Sequence, residues 1–399
     1  MINLSLEWKI VKLKDLINLK TGKLDSNQEE LDGIYPFFTC APNPSRINSF
    51  SFDQKAILLA GNNANGNFHI NYFEGKFDAY QRTYVISVLD EEKLDLKYLY
   101  YALKICLNDF KRMSQGTSTR FLTKKILDNF EIQVPPIETQ LKIVNLLDNL
   151  TNKIEVNNQL NHNLESIATN IFKNYFIDYE PFQDLTLIDS NIGNIPKEWE
   201  FTKIEDIIDV KDGTHDSPPS IDEGFPLITS KHLNEYDVNK NEANKISFED
   251  YTSINKRSFV EPFDILISMI GTVGNICYIL YDEVDFAIKN VGLFKTSKTP
   301  IMREYLLLYL KSNIINQYID SRLAGSTQKY ISLTELRNIP IVIPPKEVLK
   351  EFKNVVDPIF NNIKTNHFEI NNLINLRDAL LPKLMSGEID VSKVNCDLD

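Results

Sequence analysis

A chain that repeats itself at half its length is constrained to fold as two related domains, and this sequence repeats itself. Trp8-Lys9-Ile10-Val11-Lys12-Leu13-Lys14-Asp15-Leu16-Ile17 runs on to Lys20-Thr21-Gly22. Trp199-Glu200-Phe201-Thr202-Lys203-Ile204-Glu205-Asp206-Ile207-Ile208 runs on to Lys211-Asp212-Gly213, at a constant offset of 191. Both tryptophans of the protein stand at these two starts. The offset then grows to 208, where Ile57-Leu58-Leu59-Ala60 matches Ile265-Leu266-Ile267-Ser268 and Gly66-Asn67 matches Gly274-Asn275. It ends at 209, where Gly116–Thr123 matches Gly325–Ser332 and Val134-Pro135-Pro136 matches Ile343-Pro344-Pro345. Changing offsets are insertions between fixed blocks, the way loops of a duplicated domain diverge.

Each double proline opens a helical pattern, since Pro suits a first helical turn and little after it. The first seam reads Ile143, Leu147, Leu150, Ile154, Asn157, Asn161, Leu164, Ala168, Ile171, Tyr175. The second reads Phe352, Val356, Ile359, Ile363, Asn366, Ile370, Leu373, Arg377, Leu380, Leu384, in the same heptad register. Pro358 is expected to bend the second helix near its start, with Pro382 and Gly387 towards its end. A helix of about 40 residues is about 60 Å long and serves to hold domains apart. Packed antiparallel about a pseudo-two-fold axis, the helices would bring Asn157 and Asn366 together as a buried pair that fixes register; the alternative is that both sit at a frayed, solvated edge.

The globular parts carry short β-rich runs: Ala56–Leu59, Thr83–Val88 and Phe130–Val134, then Ile265–Ile270, Ile276–Tyr281 and Ile339–Ile343. Each also has one apolar helical stretch, Leu96–Leu107 and Tyr305–Ile319. No regular βαβ alternation is visible, so the fold class is α+β. The division is 1–135 first domain, 136–178 first long helix, 179–195 linker, 196–344 second domain, 345–387 second long helix and 388–399 tail.

No catalytic signature is present: no phosphate-binding loop, no H-E-x-x-H, no nucleophile elbow, and five dispersed histidines. Asn43-Pro44-Ser45 reads as a turn and Glu91-Glu92-Lys93 as a solvated charge run. Four scattered cysteines fit a reduced, cytosolic protein. No apolar run of about 18 residues and no secretory signal is visible, so a cytoplasmic protein without a membrane partner is expected. The formal net charge of -12 argues against simple binding to nucleic acid.

Two variable α+β domains alternating with two long helices, each entered through a double proline, resemble the specificity (S) subunit of Type I restriction–modification enzymes. The likeness runs from about Trp8 to Val391. It rests on Trp199 with its Ile195-Pro196 lead-in, on Gly116–Leu122 and Gly325–Ile331, and on the two double-proline junctions, the first followed by Gln140. Lys211–Pro218 and Pro226–Lys231 also look like one recurrent class of target recognition domain. The second copy lacks a Gln after its prolines, and the first has no Asp-Gly-Thr-His segment. Gly61–Gly66 stands where the other copy has Ser268–Gly274, so the two domains are expected to read different sequences.

The resemblance implies a non-catalytic chain in which each target recognition domain reads one half of a bipartite site on double-stranded DNA. The antiparallel helices would set the spacer and dock two methyltransferase (M) subunits. Those subunits would bind S-adenosylmethionine, this chain having no cofactor or metal of its own. A nuclease/translocase (R) subunit can join.

Base edges are read by Asn, Gln, Arg, Lys, Ser and Thr. The first domain's expected DNA-binding set is Lys20, Asn62, Asn63, Asn65, Tyr80, Gln81, Arg82, Thr117, Thr119 and Arg120. The second domain's is Thr214, His215, Ser230, Lys231, Thr272, Asn275, Lys289, Ser326, Gln328 and Lys329. Against base contact stands the plain reading of each as a turn residue satisfying its own backbone. Competing functions are a subunit serving a fused methylase–nuclease, a DNA-independent adaptor with two binding domains on a coiled coil, and an enzyme of unfamiliar fold.

Charge is uneven. Residues 1–135 hold 17 basic and 16 acidic side chains, net +1, whereas residues 196–345 hold 16 and 22, net -6. An acidic chain rarely binds DNA well by phosphate contacts alone, so this chain is expected to bind poorly without partners, which supply much of the positive clamp.

Overall fold

The computed structural model describes residues 8–116, 119–190 and 192–391. The chain divides into two compact units, Met1–Val156 with Ile370–Asp399, and Asn157–Glu369.

In the first unit, six strands order as Ile17–Thr21, Thr83–Val88, Phe52–Ala60, Ile70–Ala79, Tyr35–Phe38 and Ser45–Ile47. Phe52–Ala60 and Ile70–Ala79 pair antiparallel over eight register positions, and Phe38 lies parallel to Ala79. One face of the sheet packs on the helix Leu96–Ile105, burying Ile57, Leu59, Ile86, Leu99 and Leu103. The other face buries Phe38, Ala56, Leu58 and Phe77. Helix Leu96–Ile105 starts where Asp95 Oδ1 accepts the Tyr98 N–H at 2.8 Å, an N-cap. It stops at Cys106, and a second short helix, Leu107–Met113, follows. The helical stretch expected over 96–107 is thus a helix ending at Ile105, and the short helix after it was not expected.

The second unit repeats this frame residue for residue. Lys9 faces Val134 in the first unit, and Glu200 faces Ile343 in the second. Leu13 N donates to Phe130 O, and Ile204 N to Ile339 O. Thr21 faces Tyr84, and Asp212 faces Gly292. Ile57 faces Ile86, and Ile265 faces Phe294. These pairs preserve the offsets of 191, 208 and 209 read from the sequence. One difference is architectural. The counterpart of the long strand Ile70–Ala79 is broken into Ile276–Tyr278 and Ala287–Ile288, so one six-stranded sheet becomes a four-stranded and a three-stranded sheet. Here the expected single helix is two, Arg303–Leu310 and Asn313–Asp320. Phe248–Ser258 is a further helix, capped by Ser247 and not expected from the sequence.

The long helices are Ile137–Phe176 and Lys346–Met385, each of 40 residues. The second runs through Pro358 without interruption and ends before Gly387, whose φ of 72° is a left-handed C-terminal position. In the first unit Ile143, Val144 and Leu147 share a core with Leu381, Leu384 and Met385. In the second unit Ala168, Phe172 and Phe176 share one with Phe352, Val356 and Phe360. There Asn157 Nδ2 donates to Glu369 Oε2 at 2.7 Å, and Asn366 Nδ2 donates to Asn161 Oδ1 at 2.9 Å. As one helix advances the other recedes, so these segments run antiparallel. The expected Asn157–Asn366 pair is replaced by this staggered double bridge. The seam also shifts past Ala168. Phe172 and Phe176 are buried, while Ile171 and Tyr175 are partly so, because the last two turns dock on Trp199, Tyr305 and Phe352.

Residues 179–195, expected as a linker, include regular structure among the described residues. Leu187–Ser190 and Gly193–Pro196 form a hairpin, and Tyr179 and Phe182 pack edge-on against Trp199. Among the described residues no helix is long and apolar enough to cross a membrane.

Candidate nucleic-acid interface

One end of the first unit's sheet gathers most of the expected residues, and glycine makes the approach possible. A Cβ on Gly22 would stand 1.8 Å from the Ala79 carbonyl oxygen, so only glycine lets the chain cross beneath Tyr80. Beyond it Leu24 bridges to Tyr80, and Gln81 Nε2 donates to Asp25 Oδ1 at 2.6 Å. The Arg82 carbonyl accepts the Gly61 N–H at 2.8 Å, while its guanidinium lies 5.3 Å from the Phe121 ring centre. Asn62 and Asn63 form a two-residue ladder with Phe121 and Arg120. Asn63 Oδ1 accepts the backbone N–H of Asn65 and Asn67, at 2.9 and 3.1 Å, closing a tight turn. Cys40 Sγ donates to Asn62 Oδ1 at 2.8 Å. Lys20 is exposed on the strand Ile17–Thr21, opposite Val85.

The turn that carries Arg120 depends on a glycine. Gly116 has φ 106°, and a Cβ there would meet the Thr119 carbonyl oxygen at 2.1 Å. Gln115 and Phe121 close its base with two backbone hydrogen bonds. Thr119 is half-buried, and Thr117 lies outside the described residues. The second unit builds the same turn. Gly325 has φ 90°, its Cβ would meet the Gln328 oxygen at 2.3 Å, and Ala324 and Tyr330 close the base. Ile270 bridges to Tyr330 as Asn62 pairs with Phe121, and Gly271 N donates to Lys329 O at 3.1 Å. Ser326, Gln328 and Lys329 are exposed on this turn, and Thr272 on the facing one.

In the second unit several expected contact residues are already committed within the protein. The Thr214 hydroxyl accepts the Asp216 N–H at 3.1 Å. His215 Nδ1 meets Asn290 Oδ1 at 2.7 Å, and its Nε2 meets Asp212 Oδ2 at 3.1 Å. Asp212 is buried and also holds Arg257. Lys289 Nζ donates to Ser217 Oγ, and Ser230 Oγ lies 3.5 Å from Asn290 O. These side chains lock three loops together. Asn290, at φ 53°, is the hub. Lys231 remains exposed beside them. His232 is buried, and burial followed by the neighbouring Lys231 charge holds its imidazole below the usual histidine range.

Asn275 departs from the group. It lines a cleft of about 970 Å³ with His162, Glu165, Asn170 and Lys311. Lys311 bridges Glu165 and Glu235 there, and desolvation raises the Glu165 carboxyl.

Sequence reasoning missed Arg257, Asn290, Asn67 and Lys111. Lys111 Nζ donates to Asn67 Oδ1 at 2.7 Å, 44 positions apart in the chain. The only local signal was the basic pair Lys111-Arg112 ending a helix. Among the described residues no three His, Cys, Asp or Glu side chains gather to hold a metal ion.

Known proteins resemble this chain over most of its length. The chain is 25% identical to the Type I restriction enzyme EcoDI specificity subunit of Escherichia coli, over 97% of this chain and 89% of that protein. It is 28% identical to the MjaIX specificity subunit of Methanocaldococcus jannaschii, over 77% and 72% of the two chains. The crystal structure of a Type-I restriction-modification system S subunit from M. genitalium shares the fold, with a TM-score of 0.60 at 19% identity, covering 96% of this chain and 97% of that one. The model of the Type I restriction modification DNA specificity domain matches residues 5–166 and again 196–376. With that domain present twice over most of its length, the chain belongs to the Type I restriction modification DNA specificity family.

Proposed function

We propose that this chain is the non-catalytic specificity subunit of a Type I restriction–modification complex. Residues 1–135 read one half of a bipartite DNA site, and residues 196–344 read the other. The observation that carries this reading is one backbone frame built twice with different chemistry at equivalent places. Asn62 and Asn63 stand where the other copy has Ile270 and Gly271, and Gln81 and Arg82 stand where it has Lys289 and Asn290. A frame kept while its exposed heads change suits two readers of different base sequences.

The committed side chains refine the roles. In the first domain Asn65, Tyr80, Arg82, Thr119 and Arg120 face the DNA, with Lys20, Asn62, Asn63 and Gln81 shaping the same end of the sheet. In the second domain Lys231, Thr272, Ser326, Gln328 and Lys329 supply the contacts, while Thr214, His215, Ser230 and Lys289 hold the loops that present them. The two long helices act as the spacer. Half-sites one turn apart lie about 34–36 Å from each other, within the reach of a rod of about 60 Å. The helices also dock two methyltransferase subunits, which bind S-adenosylmethionine. A nuclease/translocase subunit completes the restriction complex, in the cytoplasm.

Co-expression with a methyltransferase partner, followed by sequencing of methylated positions across the host DNA, tests this. A bipartite methylated motif with a fixed spacer is expected. Methylation at a continuous motif, or none above the partner alone, would contradict it.

A further inference from the structure

We propose that Lys111 and Arg120 form a clamp over Gly66 for a backbone phosphate of duplex DNA at the first domain's half-site. This rests on the reading of that domain as a DNA reader, and adds to it a contact that depends on charge rather than on sequence.

The clamp is assembled from three chain segments. Lys111 comes from the last turn of Leu107–Met113, Arg120 from the strand facing Asn63, and Gly66 from the turn after Asn63. Gly66 has φ 70°. A Cβ on it would lie 3.1 Å from Cγ of Lys111 and 3.1 Å from Cγ of Arg120. Two cationic stems therefore flank a single glycine. Both heads are oriented by neutral oxygens: Lys111 Nζ by Asn67 Oδ1 at 2.7 Å, and Arg120 Nη1 by the Ser114 carbonyl at 3.3 Å. Among the described residues neither cation has a carboxylate partner within ion-pair distance, whereas the adjacent Arg112 pairs with Asp109 at 2.7 Å. A neutral oxygen orients a cation without cancelling its charge, so both charges are left for an anion that approaches this turn. Phosphate is the anion that lines the DNA surface this turn faces, and basic side chains with backbone turns are its usual partners.

A phosphate contact has a signature that base contacts lack. The logarithm of the DNA association constant falls with the logarithm of salt concentration, by about 0.9 for each phosphate neutralised. The full chain bound to its methyltransferase partner is titrated onto a duplex carrying its site, over a range of salt. Lys111→Ala should lower the magnitude of that slope by about 0.9, and should weaken cognate and non-cognate duplexes by the same factor. Arg112→Ala removes the same charge one position along and should leave the slope unchanged. An unchanged slope in Lys111→Ala, or an equal drop in Arg112→Ala, would overturn the clamp while leaving the DNA-reading role intact. A wild-type complex that binds no DNA would overturn both.

Discussion

Asn366 donates its side-chain amide to Asn161 on the other long helix, 2.9 Å away, and one turn along Asn157 donates to Glu369 at 2.7 Å. Asn157 and Asn161 are both buried. Polar groups buried in an otherwise apolar seam fix which residues can face each other, because any slide would strand them against aliphatic neighbours. Asn161→Ala should cost about 1–3 kcal/mol by leaving the Asn366 amide without its acceptor. Replacing both by Leu should recover much of that loss. Urea denaturation of Asn161→Leu, Asn366→Leu and the double Leu variant gives the coupling, expected at about 0.5–3 kcal/mol; additive losses would show that the pair does not act as a unit.

The two Gly-led turns should fail independently. Gly116→Ala and Gly325→Ala each place a Cβ against a carbonyl oxygen, at 2.1 and 2.3 Å, at a φ that Ala rarely adopts. Each should cost about 1–2 kcal/mol. Site-by-site methylation should show relaxed selectivity at the first half-site for Gly116→Ala and at the second for Gly325→Ala. Asn should fare no better at either, since its Cβ meets the same carbonyl oxygen.

Gln140 joins the first long helix to its domain. It is fully buried, donating from Nε2 to the Lys93 and Pro135 carbonyls at 2.9 and 2.8 Å and accepting the Asp95 N–H at 2.8 Å. Its counterpart is Leu349, buried in the second core. Gln140→Leu should destabilise by about 2–4 kcal/mol, since three backbone groups lose their partner. Leu349→Gln should also destabilise, by burying an amide among apolar side chains. Thermal unfolding of both variants tests the claim that the same junction is held by polar bonds in one copy and by apolar packing in the other.

Acid should loosen the second domain near Lys231. The folded pKa of His232 lies below its ordinary 6.5, mainly through burial, and its Nδ1 accepts the Thr229 N–H at 3.0 Å. The unfolded chain therefore binds the proton more readily than the folded one. The stability that His232 contributes is present above pH 6.5 and is lost as pH falls through the folded pKa. Melting temperature measured from pH 8 to 5 should fall on the acid side, and His232→Gln should flatten that part of the curve. An unchanged slope in the variant would assign the acid sensitivity elsewhere.

The duplication, the long helices and the strand starts were legible because they leave local marks: a repeated tryptophan block, double prolines and a heptad seam. The strand Ile70–Ala79 was not, since Asn71, Glu74, Gly75 and Lys76 break its apolar alternation and only pairing with Phe52–Ala60 specifies it. The breaks at Cys106 and after Leu310 were hidden for the same reason, because apolar spacing continues across them while the backbone does not. Loop residues were identified by type, but type does not reveal whether a head is free. His215 is committed to Asn290, 75 positions away, and no local pattern reports that distance.

In the proposed function, two copies of one frame read two halves of one site. Exchange of residues 1–135 for those of a relative with a different target, in the chain bound to its methyltransferase partner, tests it most directly when methylated sites are mapped before and after. A change in one half of the bipartite motif is expected, with the other half and the spacer length preserved. A change in both halves, or in neither, would contradict it.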